Sequence, residues 1–176
     1  NGEIYNIEPL KTDLLSKGYV FKTTTDTEVI LYAYIEYGVN SVKMLNGIFA
    51  YGIWDNKLKK LFLFRDRCGI KPLFYALKRN TIVFASEIKA LFKHPQVAPE
   101  INTNSLREIF AIGPARTEGN GVFKGIYEIK YGHYGVYDIN GFRQLPYWSL
   151  KSEEYKKTYQ EAVDDVKYLV TSAIEY

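Results

Sequence analysis

The sequence predicts an α+β fold in which largely antiparallel sheets are flanked by helices, and three observations lead there. Two near-continuous apolar runs, residues 48–54 and 61–64, are separated by Asp55-Asn56-Lys57, whose residue types favour a turn. A second pair, residues 73–76 and 81–85, turns at Lys78-Arg79-Asn80. Short turns of this kind join antiparallel neighbours, and apolar residues at successive positions require cover on both faces of the sheet. Helical patterns stand before and after this block. A four-layer α/β/β/α sandwich fits the order, and so does a simpler two-layer α+β fold; pattern alone does not separate them.

Taken in order, residues 7–17 predict a helix, with Ile7, Leu10 and Leu14 at helical spacing and Gly18 as its stop. Pro9 sits in the first turn, where its missing N–H costs nothing. Residues 19–23 are a short strand candidate. Thr25-Asp26-Thr27-Glu28 has capping-box spacing and opens a helix carrying Val29, Ala33 and Tyr37 before Gly38. Residues 41–46 suit one more helical turn. After the two hairpins, residues 86–92 predict a short helix capped by Ser86. Pro95 and Pro99 bracket a loop, residues 105–110 are helical, and residues 113–121 form a turn-rich exposed loop. Strands are expected at 126–129, at 135–139 and around Tyr147, with Asn140-Gly141 as a turn.

Residues 1–150 therefore predict one domain, and the polar run at 151–157 a linker. Residues 158–176 begin another unit: Thr158-Tyr159-Gln160-Glu161 repeats the capping spacing, and Ala162, Val166, Leu169, Val170 and Ala173 continue an apolar face. The chain opens on Asn1 without Met and stops at Tyr176 inside a helical pattern, so a piece of a longer polypeptide is expected.

Composition narrows the function. In 176 residues, 47% hydrophobic and 24% charged content fits a soluble globular chain, and 16% aromatics suit packed sheets. Lys and Arg number 23 against 20 Asp and Glu, giving a net charge of +3 with no basic run, which argues against nucleic acid or a membrane as partner. No apolar stretch approaches a membrane span and no signal peptide is legible. One cysteine excludes an internal disulfide and, with two histidines, disfavours a metal site, so a reducing, cytoplasmic setting is expected.

Few motifs carry chemistry locally. Asn1-Gly2-Glu3 joins an amide with two fixed N–H donors to a glycine whose own N–H can approach a ligand closely. That pair suits an oxyanion hole, although a turn or strand end explains a bare Asn-Gly more simply. Asp26 is a helix-start acid or, functionally, a carboxylate held to receive a substrate ammonium. Arg65-Asp66-Arg67-Cys68-Gly69-Ile70-Lys71-Pro72 has the residues of an ion pair and a tight turn, a structural role. Cys68 is more simply a small hydrophobe than a nucleophile. The glycines of residues 119–125 miss phosphate-loop spacing, and no strand feeds them.

Jointly, these segments resemble glutamine-hydrolysing asparagine synthetases. The resemblance runs through Asn1-Gly2-Glu3-Ile4-Tyr5-Asn6, Thr25-Asp26-Thr27-Glu28-Val29-Ile30 and Leu45-Asn46-Gly47-Ile48-Phe49-Ala50. It continues through residues 65–75 and 84–91, then Phe123-Lys124-Gly125-Ile126-Tyr127-Glu128-Ile129 and Gly132-His133-Tyr134. It implies an N-terminal-nucleophile (Ntn) hydrolase fold, a four-layer α/β/β/α sandwich, here N-terminally truncated. It also implies hydrolysis of glutamine to glutamate and ammonia, with ATP-dependent amidation of aspartate in a second domain. By resemblance, Asn1 and Gly2 match oxyanion-hole positions, Glu3 and Asp26 match residues holding the amino-acid end of glutamine, and residues 158–176 match the first helix of the synthetase domain. The family nucleophile, an N-terminal Cys whose α-amine is the base, is expected some tens of residues before Asn1, with the Arg that clamps the glutamine carboxylate. The ATP loop is expected beyond Tyr176. No cofactor is therefore expected on this stretch, whereas ATP and Mg2+ are expected for the synthetase domain. The 176 residues alone are expected to be inactive.

Two other readings fit the residues. The module could serve another class II amidotransferase, such as an amidophosphoribosyltransferase or a sugar-phosphate aminotransferase, or it could be a non-catalytic remnant of the fold. The residues do not fix an assembly state; a homodimer is one candidate.

Overall fold

The computed structural model describes residues 1–113 and 116–175. Among the described residues, eight strands form two sheets, and every strand pair is antiparallel. The chain begins with β1 (Gly2–Ile4), α1 (Ile7–Ser16) and α2 (Asp26–Tyr37), followed by a 3-10 segment at Gly38–Met44. Then come the hairpin β2 (Gly47–Asp55)–β3 (Lys60–Arg65) and the hairpin β4 (Phe74–Lys78)–β5 (Thr81–Ala85). Two short helices, α3 (Ile88–Leu91) and α4 (Thr103–Arg107), precede β6 (Ile126–Glu128), β7 (His133–Asp138) and β8 (Gly141–Pro146). The last element is α5 (Tyr159–Glu175). The larger sheet has the order β1-β2-β3-β7-β8 and the smaller β5-β4-β6.

Period-two alternation sorts the side chains into three apolar layers, and these settle the question of layers in favour of four. On β3, Phe62 and Phe64 face α1 and α2, joining Leu10, Leu14, Val29, Ala33 and Phe49 in one core. The intervening Leu61 and Leu63 face the smaller sheet and pack with Leu73, Tyr75 and Ile129. On β4 the pattern repeats: Tyr75 points between the sheets, while Phe74 and Ala76 point outward to Leu91, Val97 and Ile126. The order is thus helices, five strands, three strands, then α3 and the loop after it. Aromatic rings tie the first core across strands, with Tyr51 on Phe64 at 4.8 Å and Phe64 on Tyr134 at 5.6 Å between centroids. Within the larger sheet, Gly135 on β7 leaves room for the Phe142 ring of the neighbouring β8: a Cβ there would lie 2.6 Å from it.

Several local expectations are corrected. Residues 19–23 form no strand, because Tyr19 and Phe21 pack on Tyr32 instead of pairing with a neighbour. The capping box at Thr25 does not form: the Thr25 side chain makes no cap bond, and the Glu28 carboxylate reaches back to Lys22 and Thr23 instead. Ser86 does not cap α3; Glu87 occupies that position. The helix near 105 starts earlier, at Thr103, where Asn102 and Ser105 bond each other reciprocally, and it widens into a π-turn at Glu108–Ile112. The last strand ends at Pro146, just before Tyr147. Within the exposed loop 113–121, Pro114 and Ala115 lie outside the described residues, as does Tyr176. The other hairpins and the Asn140-Gly141 turn fall where the sequence places them.

Residues 151–157 carry no helix or strand. The α5 capping box does form, with Thr158 and Glu161 bonded reciprocally. Its apolar Val166, Leu169 and Val170 are all more than half exposed. No described helix is long and apolar enough to cross a membrane.

Candidate functional site

A cleft of about 470 Å³ opens between the β1–β2 edge and the start of α2. Asn1, Gly2 and Asp26 line it, with Thr27, Ile30, Leu31, Phe49, Tyr51, Ile53 and Trp54 supplying mostly apolar walls. Three of the four residues singled out in the sequence therefore share one cavity although 24 positions separate Gly2 from Asp26. Glu3 is not among the lining residues. Side chains alternate along a strand, and with Ile4 buried in the helix-side core, Glu3 is exposed on the other face.

The β1–β2 ladder aims the donors. Asn1 and Ala50 exchange both main-chain bonds, the Asn1 nitrogen donating to Ala50 O at 3.2 Å and Ala50 N–H to Asn1 O at 2.8 Å. In an antiparallel pair, bonded and non-bonded residues alternate, so Gly2, opposite Phe49, is a non-bonded position. Its N–H points away from β2, along the open edge of the sheet. The backbone needs glycine there: Gly2 has φ +128°, and a Cβ would sit 2.0 Å from Ile48 O. The Asn1 amide nitrogen donates to Ser86 Oγ at 3.3 Å, which fixes its direction and leaves its second N–H for a ligand. Sequence reasoning missed Ser86 in this role, since no local pattern shows that the end of β5 meets β1.

Asp26 is half-buried in the first turn of α2, where unpaired backbone N–H groups favour a negative charge. The Thr27 hydroxyl donates to its Oδ1 at 3.3 Å. A carboxylate and two N–H donors lining one largely apolar cleft suit a ligand with an ammonium at one end and a carbonyl oxygen at the other. The apolar walls were legible only as core: Phe49, Tyr51 and Ile53 alternate along β2, but nothing local marks them as reaching a cavity.

Behind the cleft lies a rigid loop. Arg65 donates from Nε to Lys71 O at 2.9 Å, from Nη1 to Ile129 O at 2.6 Å and from Nη2 to Gly69 O at 2.8 Å, and pairs with Glu128 at 2.9 Å. The ion pair expected between Arg65 and Asp66 is thus replaced by one between Arg65 and Glu128. The Tyr147 hydroxyl, its pKa pushed up mainly by burial, donates to Arg65 O at 2.7 Å. Cys68 is exposed and lines no part of the cleft. Among the described residues, no group of three or more His, Cys, Asp or Glu side chains is placed to hold a metal ion.

Comparison with known proteins identifies the family. A family described as "Glutamine amidotransferase domain" matches residues 1–148. The chain is 42% identical over 174 residues to asparagine synthetase [glutamine-hydrolyzing] 3 of Bacillus subtilis, covering 99% of this chain and 28% of that protein. It is 40% identical over 167 residues to asparagine synthetase [glutamine-hydrolyzing] 2 of the same organism, covering 92% and 22%. The chain thus spans about a quarter of the length of these relatives. Among solved structures, glutamine phosphoribosylpyrophosphate amidotransferase from B. subtilis matches 85% of this chain and 28% of its own at 22% identity, with a TM-score of 0.59. That likeness concerns the fold alone, which is the Ntn type.

Proposed function

Given that the chain belongs to the glutamine amidotransferase domain family, we propose that it is the glutamine-hydrolysing part of an asparagine synthetase. The observation that carries this is the convergence of Asn1, Gly2 and Asp26 on one cleft. Asp26 receives the α-ammonium of glutamine, and the aliphatic and aromatic walls pack its methylenes. The Asn1 amide and the Gly2 N–H meet the side-chain carbonyl oxygen where negative charge develops. The resemblance assigns the attack to an N-terminal Cys on a segment preceding Asn1. Its sulfur bonds to the amide carbon, its α-amine takes the thiol proton and delivers it to the departing nitrogen, and ammonia leaves. Water then hydrolyses the thioester to glutamate. Glu3 would reach the ligand only from the far face of β1.

In this reading residues 1–150 are the glutaminase domain, 151–157 a linker and 158–176 the first helix of a synthetase domain that uses aspartate, ATP and Mg2+ in the cytoplasm. The exposed apolar face of α5 supports that division, since such a face calls for a neighbour.

The test is Asp26→Asn in the full-length enzyme, assayed with glutamine and with free ammonia as nitrogen donors. Losing one charge-assisted contact costs about 1.5–3 kcal/mol, so kcat/KM for glutamine should fall roughly ten- to a hundredfold while ammonia-dependent synthesis is nearly unchanged. Equal losses with both donors, or none with either, would remove Asp26 from the site.

A further inference from the structure

Asp66 lies outside the cleft, yet its buried carboxylate is bonded to the strand beside it. Its side chain is 1% exposed. Oδ1 accepts from Cys68 N–H at 3.1 Å and Ile70 N–H at 3.0 Å, and Oδ2 from Lys71 N–H at 2.9 Å. These three bonds shape its own loop. The fourth does something else: Phe49 N–H donates to Oδ2 at 3.3 Å, while the Asp66 main-chain N–H donates to Phe49 O at 2.9 Å. The β2–β3 ladder has its last paired rung at Ala50 and Arg65, and Asp66 adds one more, using its carboxylate as the acceptor. Both polar groups of Phe49 are thereby held from the β3 side. On the opposite edge of β2, Phe49 is the register partner of Gly2.

We propose that Asp66 is a positioning residue for the oxyanion site, acting through Phe49 on the Asn1–Gly2 strand. This rests on the reading of Asn1 and Gly2 given above. β1 has three residues and a single neighbouring strand, so its distance and tilt are those of β2. At Gly2 the approach is so close that the Ile48 carbonyl occupies the space of a side chain, and a shift of a few tenths of an ångström in β2 moves the Gly2 N–H with it. An oxyanion donor must be placed to about that tolerance, because its bond strengthens only as the transition state forms. The loop is in turn locked by Arg65, which bonds three of its carbonyl neighbours but makes no bond to Phe49. The two side chains divide the work: Arg65 holds the loop to the smaller sheet, and Asp66 holds the catalytic strand pair to the loop.

The experiment compares three variants in the full-length enzyme. Asp66→Ser keeps a short acceptor for the local turn but cannot reach Phe49. It should lower kcat for glutamine tenfold or more with KM changed less than threefold, and leave ammonia-dependent synthesis intact. Arg65→Lys loosens the same loop without touching Phe49, so it should lower the melting temperature while keeping kcat. Asn1→Ala is the reference for the reading beneath. If Asn1→Ala leaves kcat unchanged, that reading falls and takes the proposal with it. If Asn1→Ala lowers kcat and Asp66→Ser does not, the proposal alone is overturned. It is equally overturned if Arg65→Lys and Asp66→Ser lose kcat in proportion to lost stability, since Asp66 would then be merely structural. Should Asp66→Ser not fold, Asp66→Glu keeps the charge and displaces the oxygens by one methylene, with the same expectations.

Discussion

A glycine at a strand edge decides more here than its size suggests. Gly2 carries φ +128°, a conformation that costs any L side chain, and its missing Cβ is where the Ile48 carbonyl lies. Gly2→Ala is therefore expected to destabilise by about 1–3 kcal/mol and to lower glutamine-dependent activity, read as a shifted urea midpoint and a reduced kcat. An alanine variant with wild-type midpoint and rate would mean that the edge relaxes freely. Leu63, fully buried between the sheets, tests the middle layer: Leu63→Ala should cost about 2–5 kcal/mol in equilibrium unfolding. At this scale the sequence was half legible. Asn1-Gly2 offered donors but equally a turn, because nothing local says which way a strand-edge N–H points. That direction follows from pairing with Ala50, a contact 49 residues away. Asp66 read as half of an ion pair with Arg65, whereas each finds partners that only the folded loop supplies.

The start of α2 shows how an element is set by what precedes it. Glu28 holds Thr23 through its hydroxyl and, with the Lys22 and Thr23 N–H groups, keeps residues 22–25 against the helix. Those bonds, the Thr23 hydroxyl first, lower the Glu28 pKa from 4.5 to about 2. A depressed carboxyl favours the folded arrangement only while ionised. The contribution is complete above about pH 4.5 and fades as the pH falls toward 2. Exchange of the Lys22 and Thr23 amides, corrected for intrinsic rates, should accelerate across that window, and Glu28→Gln should remove the dependence. Equal protection at pH 3 and pH 6 would show that the loop is held by other means. The hairpins were legible because their apolar runs and turn residues are contiguous. The strand expected at 19–23 failed because an aromatic pair on Tyr32 competes for the same residues, and tertiary packing overrides local preference.

For the molecule as a whole, the α+β content was legible in the residue pattern, whereas the four layers came only from the family resemblance. Alternation within β3 and β4 says that both faces are covered, not by what; helices and a second sheet cover apolar residues equally well. The far end invites a test of independence. Among the described residues, α5 leaves most of its apolar positions exposed, so the body should not depend on it. Residues 1–150 expressed alone should melt within a few degrees of the 176-residue chain by near-ultraviolet circular dichroism. A drop beyond about 5 °C, roughly 2 kcal/mol for a chain of this size, would place α5 within the body's own core. The unequal sheets have a practical side as well. β5 runs Thr81-Ile82-Val83-Phe84-Ala85 with no charged residue, and it is the outer strand of the smaller sheet, with Phe84 42% exposed. Shortness blunts such an edge, but the absence of charge leaves its unpaired N–H and C=O groups open to a further strand from solution. Concentrated samples of these residues alone are where such addition along β5 would show, and a lysine at the exposed Thr81, clear of the core that Val83 packs on, is the simplest remedy for anyone handling them.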